Sequence, residues 1–300
     1  MSSRDLLNQK ILIEEFLNKE RHESSAFSFA NIFTWRDFFD FRFEKIDENL
    51  CIFAEGPLGC FLYLPPLGRR ISRETIDACF HIMNTKNDGN GISRIENVEE
   101  QMFPFFPKKE FSYFKKSDEY IYRREDIVAL KGNPFKAKRA LYNHFVKNYH
   151  YEYLPFEKNM QAQCETLYES WAKERAQNHD DEIYRQMLKE NQSVHRLALS
   201  HDKDLGLVGR VVLVDKKIKA YSFGFKLNND TFCILLEIAD LNVKGLSVFI
   251  FRELCADREI QKYAFVNCMD DFGLDNIRTT KLSFRPSKLL PSYVVSRKMG

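Results

Sequence analysis

The sequence of 300 residues lacks any long apolar run. Its two most apolar stretches are residues 50–67, which Glu55, Gly56, Pro57 and Pro65 interrupt, and residues 231–251, which Glu237, Asp240 and Lys244 interrupt. A helix that spans a bilayer needs about 20 apolar residues in succession, so we expect neither stretch to cross a membrane. Residues 1–20 carry acidic side chains and no cleavage site of small residues, which predicts an amphipathic helix rather than a secretion signal.

Common site motifs are also absent. The seven cysteines occur singly, without a C-x-x-C pair, and this odd, scattered set argues against a disulfide framework and against a zinc site. We therefore expect a cytoplasmic location and no metal. The sequence has no phosphate loop, no dinucleotide-binding glycine turn, no H-E-x-x-H and no G-x-S-x-G elbow, so the common nucleotide, zinc-protease and serine-hydrolase classes lose their usual signals.

Large apolar side chains are abundant. Hydrophobic residues make up 44% of the chain, which includes 27 Phe and 13 Tyr. Burial of such a side chain contributes roughly 1.5–3 kcal/mol to stability. The sequence therefore predicts a globular protein with one large domain or two ordinary ones.

Short apolar runs bounded by turn residues predict strands in the first half of the chain. They lie near residues 41–46, 50–55 and 60–64. A helix from about Arg73 to Met83 follows, and Ser72 is suited to be its N-cap.

Helical spacing of apolar residues from Asn159 to Ala176 opens the second half. Runs rich in β-branched and aromatic residues then predict four sequential strands, which suggests an antiparallel meander. These runs are residues 194–200, 205–214, 217–226 and 231–239. A helix over about Gly245 to Cys255 and a strand over Tyr263 to Cys268 complete the order, and this crossover implies two parallel strands.

The order of strands, helix and further strand occurs in both halves, which predicts a duplicated, mixed α+β architecture. The predicted domains are an N-terminal domain over residues 1–130, a basic linker helix over residues 131–150, and a C-terminal domain over residues 151–300 that carries the site.

Positive charge is unevenly distributed. Residues 101–150 hold eleven Lys or Arg against five Asp or Glu, and residues 276–300 hold six against none. Such segregation favours a positive surface for phosphate-bearing partners, with Lys136, Lys138 and Arg139 as contacts. The alternative is two solvated faces that do not meet in space.

One predicted junction leads from the strand that ends near Ala239 through Asn242, Gly245 and Ser247 into a helix. N–H groups at a helix N-terminus can bind an anion. The spacing Asn242-x-x-Gly245-x-Ser247 resembles, in a degraded form, the pattern with which GNAT acetyltransferases hold the pyrophosphate of coenzyme A. The alternative is an ordinary loop.

The strongest signal is VNCMDDFGLDNIRTTKLSFRP at residues 266–286. Asn267 ends a strand there, Asp270 and Asp271 follow in a turn, and a short helix would carry Arg278 and Lys281 three residues apart. The carboxylates would orient an amine, while the planar guanidinium of Arg278 would hold a phosphate or a carboxylate. The alternative is an exposed loop with salt bridges.

Four passages carry a family resemblance: FANIFTWRDFF at 29–39, YLPPLG at 63–68, YRREDIVALKGNPFKAKRALYNHF at 122–145, and the passage at 266–286. Together they make the chain similar to the C-terminal domain of phosphatidylglycerol lysyltransferases. The resemblance implies a tandem GNAT fold, in which each domain has a mostly antiparallel sheet flanked by helices. It also implies an aminoacyl transfer of the kind that the lipid-modifying relatives carry out, from charged tRNA to phosphatidylglycerol.

The leading hypothesis is an acyl- or aminoacyltransferase whose donor lies between the last two predicted strands. The attacking amine must lose a proton, and Glu237, Asp240 and Asp271 are the candidate bases. Charged tRNA is the first donor considered and acyl-coenzyme A the second, with no tightly bound cofactor. The acceptor would be an amine or hydroxyl of a lipid headgroup or small molecule. The alternative class is a non-catalytic module that binds an anionic partner.

Overall fold

Helices and strands alternate along the chain in the computed structural model, which describes residues 3–177 and 182–298. The outermost residues of the predicted domains, 1–2 and 299–300, lie outside the described residues. The helices are α1 (Ser3–Asn8), α2 (Lys10–Leu17), α3 (Phe29–Thr34), α4 (Arg73–Lys86), α5 (Arg124–Ala129), α6 (Lys136–Asn148), α7 (Gln161–Gln177), α8 (Glu182–Ser200), α9 (Leu246–Ala256) and α10 (Asp275–Leu282). The strands are β1 (Asp40–Ile46), β2 (Asn49–Gly56), β3 (Gly59–Leu62), β4 (Arg94–Val98), β5 (Phe111–Arg123), β6 (Tyr151–Pro155), β7 (Val208–Val214), β8 (Lys217–Lys226), β9 (Thr231–Ala239), β10 (Phe265–Asn267) and β11 (Lys288–Arg297).

The chain divides into two units that exchange segments near the C-terminus. The predicted division at residue 130 follows the linear sequence, whereas the units follow contacts in space. Unit 1 comprises Met1–Glu119, Asp270–Leu274 and Leu289–Gly300, and unit 2 comprises Tyr120–Met269 and Asp275–Lys288.

Helix α4 shows how local sequence forms an element as predicted. The Ser72 hydroxyl oxygen accepts a hydrogen bond from the Thr75 N–H at 2.9 Å, which satisfies one of the donors that a helix start leaves open. Ile76, Phe80 and Met83 are buried at helical spacing, so α4 packs one apolar face on the sheet of unit 1.

In unit 1 the strand order is β1-β2-β3-β4-β11-β5. Strands β1, β2 and β3 form an antiparallel meander, and α4 then returns the chain so that β4 pairs with β3 in parallel. Strand β11 pairs with β4 in antiparallel fashion.

In unit 2 the strand order is β5-β10-β9-β8-β7-β6. Strands β6 to β9 are antiparallel, and α9 returns the chain so that β10 pairs with β9 in parallel. The predicted parallel pairing is confirmed. Each unit thus contains a run of antiparallel strands, then a helix and a parallel strand, with three strands in the run of unit 1 and four in that of unit 2. The predicted fold class is confirmed: mixed α+β, mostly antiparallel, with flanking helices.

The strand predicted at residues 194–200 is wrong, because these residues belong to α8. Tyr184, Leu188, His195 and Leu199 are buried along this helix, at intervals of four, seven and four residues that place them on one face. A short run read alone also fits the period of a strand, so helix and strand are ambiguous over seven residues. The meander after α8 therefore has three strands rather than four.

Helix α9 lies between the sheet of unit 2 and α6. Leu246, Phe249 and Ile250 of α9 pack with Ala239 of β9 and with Phe145 of α6. These contacts fix the start of α9 and the end of β9, the two sides of the predicted junction. Within the part of the chain that the structure describes, no helix is long and apolar enough to cross a bilayer.

Candidate functional site

The ladder between β9 and β10 in unit 2 is short. Three residues of each strand pair, and the last rung joins Cys233 to Asn267. Strand β10 ends there, whereas β9 continues to Ala239. The two strands therefore part beyond this rung, and we call the region formed by Ile234 to Ala239 and the residues just after Asn267 the strand fork.

A β-bulge lies on β9 at the strand fork. Phe223 of β8 pairs with Leu236, and Gly224 pairs with Ile234, so Leu235 has no partner on β8. A bulge shifts the alternation of side chains between the two faces of a sheet. Strand β9 consequently presents a different set of side chains to α9 after the bulge than an unbroken strand would.

Glu237 continues the face of β9 that packs against α9. Ile234 before the bulge and Ala239 after it both pack with residues of α9. Glu237 lies two residues before Ala239, and side chains two apart in a strand share a face. The bulge thus places a carboxyl group where a regular strand would place the Leu236 side chain.

The Glu237 carboxyl group is poorly solvated. The residue as a whole is half-buried, but its Oε2 atom is inaccessible to solvent and has no hydrogen-bond partner among the described residues. Burial raises the pKa of Glu237 to about 8, while the hydroxyl of Ser222 and the charge of Lys281 act to lower it. Ser222 lies directly opposite on β8. The group is mostly protonated at neutral pH and ionises just above it.

Lys281 of α10 holds the end of β10. Its Nζ donates hydrogen bonds to the carbonyl oxygens of Cys268 at 2.6 Å and Met269 at 3.3 Å. Asn267 is fully buried, and its Oδ1 accepts a bond from the Met269 N–H at 2.7 Å. Met269 has a φ of +57°, which a non-glycine residue adopts only with support from its surroundings. Asn267 and Lys281 supply that support.

Asp240 is engaged at the end of β9. Its Oδ2 accepts a bond from Lys219 Nζ at 2.7 Å, and its Oδ1 accepts one from the Asn242 N–H at 2.9 Å. Burial acts to raise its pKa, but the bonds to Lys219 and Asn242 outweigh burial and lower the pKa overall. A carboxylate that is stabilised in this way is a weaker base than Glu237.

Gly245 and Ser247 lie at the start of α9. Gly245 is the N-cap residue with a φ of +89°, and a side chain there would collide with the Leu141 carbonyl oxygen of α6. Ser247 is exposed. The glycine therefore allows close contact between two helices, and the face of the junction at Gly245 is covered by α6.

Asp271 and Arg278 belong to different units. In unit 1, Asp271 is 7% exposed, and its Oδ1 accepts a bond from the Gly273 N–H at 3.0 Å. In unit 2, Arg278 is exposed on α10, the short helix that the sequence predicts.

Two of the three predicted phosphate contacts have internal partners. Lys138 Nζ lies 3.9 Å from the centroid of the Phe284 ring, and burial lowers its pKa. Arg139 donates hydrogen bonds to the carbonyl oxygens of Leu130 and Gly132, just after the end of α5. Lys136 is exposed.

The family model described as "Phosphatidylglycerol lysyltransferase, C-terminal" matches residues 18–296. The chain belongs to this family. All four passages that carry the resemblance fall within the match, and the family pattern at residues 266–286 covers the end of β10 and α10. A comparison with curated proteins returned no match.

Solved structures extend the family comparison. A protein of unknown function from Bacteroides thetaiotaomicron has 26% identity and a TM-score of 0.85, over 97% of each chain. L-PGS from Bacillus licheniformis has 16% identity and a TM-score of 0.66, over 97% of this chain and 92% of that one. A tandem GNAT protein from the clavulanic acid biosynthesis pathway has 7% identity and a TM-score of 0.53, over 99% and 97%. The last two likenesses show the fold alone.

Sequence reasoning about this lysyltransferase-family chain missed Ser222 and Tyr122 as neighbours of the site. Ser222 lies opposite Glu237 because of a register that the bulge sets, and Tyr122 donates a hydrogen bond to the Lys281 carbonyl oxygen at 2.9 Å. No signal in the sequence gives a cross-strand register with a bulge. The family passage that begins at Tyr122 is the only pointer that the sequence offers.

Proposed function

We propose that the chain is an acyl- or aminoacyltransferase whose reaction takes place at the strand fork of unit 2. One observation carries the proposal: a buried carboxyl group, Glu237, with an unsatisfied oxygen and a raised pKa, lies where two parallel strands part. A titratable group whose pKa is shifted toward neutrality by burial is typical of acid–base sites. The membership of a lysyltransferase family supports the same reaction class.

Glu237 is the general base in this proposal. An amine that attacks an activated carbonyl group becomes cationic, and the new bond persists only if a proton leaves the nitrogen. The Glu237 carboxylate takes that proton and returns it to the leaving group of the donor. Because its pKa is about 8, the carboxylate is a stronger base than an ordinary surface glutamate.

The backbone at the strand fork supplies the second chemical element of the proposal. Negative charge develops on the carbonyl oxygen of the donor as the amine attacks. N–H groups of β9 beyond Cys233 are no longer paired with β10, because that strand has ended. Those that face the fork are placed to donate hydrogen bonds to this oxygen without prior rearrangement.

Charged tRNA is the proposed donor, and an amine or hydroxyl of a lipid headgroup or small molecule is the proposed acceptor. The family description names a lysyl group and phosphatidylglycerol, which supports an aminoacyl donor. The exposed cations of unit 2, Lys136 among them, support a phosphate-bearing partner.

Acyl-coenzyme A is the second candidate donor. Its support is the helix start at Gly245, where N–H groups could meet a pyrophosphate. Against it, α6 lies on the junction so closely that Gly245 has no room for a side chain. An aminoacyl ester needs no pyrophosphate site at this helix, so the packing of α6 favours the tRNA donor.

The decisive variant is Glu237→Gln, because an amide of the same size cannot accept the proton. With lysyl-tRNA as donor, and with phosphatidylglycerol vesicles or a small amine as acceptor, we expect the rate of transfer to fall about 100-fold or more. The wild-type rate should rise with pH through about 8, where the carboxyl group ionises. Radiolabelled lysine in the product measures both effects.

Glu152→Gln is the matched control, since Glu152 is an exposed glutamate on β6 of the same sheet. It should transfer at the wild-type rate. Equal rates for Glu237→Gln and the control across the pH range would refute Glu237 as the base. Binding of tRNA by the wild-type chain without turnover of any acceptor would favour the non-catalytic module instead.

A further inference from the structure

Helix α7 of unit 2 carries an arginine whose hydrogen-bond donors are unused. Arg175 is half-buried in the last turn of the helix. Its Nε atom is inaccessible to solvent and has no hydrogen-bond partner in the described part of the chain. Native proteins seldom leave a buried donor unpaired, because the loss of its bonds to water is then not compensated. An anion bound to the terminal amino groups of the guanidinium would offset this loss.

The guanidinium group of Arg175 is held in place by an aromatic ring. Trp171 lies about one helical turn earlier on α7, and its ring centroid is 5.5 Å from Arg175 Cζ. The Trp171 ring in turn packs against the buried ring of Tyr168, at 5.8 Å between centroids. A guanidinium group that is already oriented loses less conformational freedom when it binds a ligand. Its planar fork matches the oxygen atoms of a phosphate group.

Arg175 lies beside the segments that leave the strand fork. Helix α7 packs on β8 and β9, and Oε2 of the adjacent Glu174 accepts a hydrogen bond from Asn242 Nδ2 at 3.3 Å. Asn242 follows the end of β9 by three residues. Tyr184 of α8 is hydrogen-bonded to Asn276 of α10 and interacts with the charge of Arg175. A ligand at Arg175 is therefore next to the proposed site of transfer.

We propose that Arg175, oriented by the Trp171 ring, binds the phosphate group of the acceptor. The inference rests on the proposed function, because only transfer at the strand fork makes a neighbouring ligand an acceptor. A single half-buried guanidinium suits one compact phosphate group, whereas an RNA backbone is bound by several exposed cations. The acceptor is then a phosphate ester whose amine or hydroxyl group extends into the fork. A lipid headgroup and a soluble phosphate ester offer the same chemistry.

Binding of glycerol phosphate, measured by isothermal titration calorimetry, tests the subsite without any turnover. Arg175→Gln should weaken binding about tenfold or more, since it removes the charge-assisted bonds. Arg175→Lys keeps the charge without the planar fork and should lie between wild type and Arg175→Gln. Lys173→Gln is the matched control, because Lys173 is an exposed cation of the same helix; it should bind as wild type. Equal affinities of wild type and Arg175→Gln would overturn the inference.

Transfer kinetics identify the source of the phosphate group. With phosphatidylglycerol vesicles as acceptor, Arg175→Gln should raise the KM for the lipid about tenfold and leave kcat and the KM for lysyl-tRNA unchanged. If the KM rises only for a soluble acceptor with a phosphate group, the ligand is a soluble ester rather than a lipid. A rise in the KM for lysyl-tRNA alone would assign the phosphate to the RNA and contradict the inference. A small amine without phosphate should react equally with both proteins.

The two measurements separate this inference from the proposed reaction. If glycerol phosphate binds through Arg175 but no acceptor is turned over, the proposed reaction fails and the phosphate subsite stands. If transfer proceeds and Arg175→Gln changes neither the affinity for glycerol phosphate nor the KM for any acceptor, the subsite fails and the proposed reaction stands.

Discussion

Gly245 shows how one residue type serves two purposes at the residue scale. Glycine beside a helix start predicts an anion site, because a backbone without a side chain lets a phosphate approach. In unit 2 the approaching group is the Leu141 carbonyl oxygen of α6. Glycine therefore predicts a positive φ at this position. It does not predict which group packs against the glycine, since that group belongs to a helix about a hundred residues earlier in the chain.

Gly245→Ala should destabilise the protein by about 2–4 kcal/mol. Alanine is strained at a φ of +89°, and its Cβ would collide with the α6 backbone, so strain and overpacking add. Urea denaturation measures the free energy of unfolding. Gly206→Ala is the matched control, because Gly206 has a φ of +64° with no neighbouring atom within 4 Å; it should cost about 1 kcal/mol. Equal losses of unfolding free energy in the two variants would show that α6 moves to accommodate the Cβ atom at no energetic cost.

For Glu237, the sequence predicts the residue as a candidate base but not the environment of its carboxyl group. Its place near the end of an alternating strand makes it a candidate base. Its environment depends on the bulge at Leu235, on Ser222 across the register, and on the charge of Lys281. These arise from contacts between elements distant in sequence, which no local pattern encodes.

At the scale of elements, local sequence patterns predict most helices and strands. They do not predict which residues of neighbouring strands pair with each other. The N-cap at Ser72 and the strand–helix–strand order that makes β10 parallel to β9 can both be predicted from residues close together in the sequence. The exception at residues 194–200 arises because a short apolar run fits both periods until the residues before it are included. The run is buried because α8 packs against α7 and β8, where His195 contacts Tyr168 and Tyr221.

Arg210 and Asp257 join β7 to the turn after α9. Arg210 Nε lies 2.6 Å from Asp257 Oδ2, with side chains 9% and 8% exposed, and a second bond joins Arg210 Nη2 to Asp257 Oδ1 at 3.0 Å. Burial acts to raise the pKa of Asp257, but Arg210 lowers it overall. The pair therefore stabilises the fold at neutral pH, and this contribution is lost as the pH falls through the pKa that Asp257 has in the folded state.

Arg210→Ala should lower the free energy of unfolding by about 3 kcal/mol, since it leaves a buried carboxylate without its partner. Urea denaturation at pH 7 measures the loss. Removing the exposed partner Lys86 from its pair with Glu55, with side chains 48% and 33% exposed, should change stability by less than about 1 kcal/mol. If the two losses were alike, the Arg210 pair would be no stronger than a surface contact.

At the scale of the whole molecule, the two basic segments of the sequence meet. Lys138 comes from residues 101–150 and Phe284 from residues 276–300, and they are in contact. The sequence left open whether these segments form one positive surface. Exposed cations near this contact in sequence include Lys131, Lys136 and Arg285, and we call these three residues the basic face.

Binding of charged tRNA should weaken steeply with salt, because each phosphate contact releases counterions. Lys136→Gln should reduce the slope of log affinity against log salt by about 1. Lys203→Gln, an exposed lysine outside the basic face, should leave the slope unchanged. Filter binding at several salt concentrations measures both. Affinity that stays constant between low and moderate salt would contradict tRNA as the donor.

The duplicated order of elements is predictable from the sequence, and the exchange of segments between units is not. Apolar periodicity shows strands, helix and strand in each half, but it carries no information about which unit a terminal strand joins. Unit 1 takes β11 from the far end of the chain, where it pairs with β4.

This exchange bears on how the molecule responds to a protease. A cut in the loop near residue 130 would yield an amino-terminal and a carboxyl-terminal fragment, yet the second fragment contains β11. Its ladder with β4 would hold the two fragments together after the covalent link is gone. Strand β11 therefore belongs to the fold of unit 1 although it lies on the carboxyl-terminal fragment, and we expect the two fragments to remain associated after the cut.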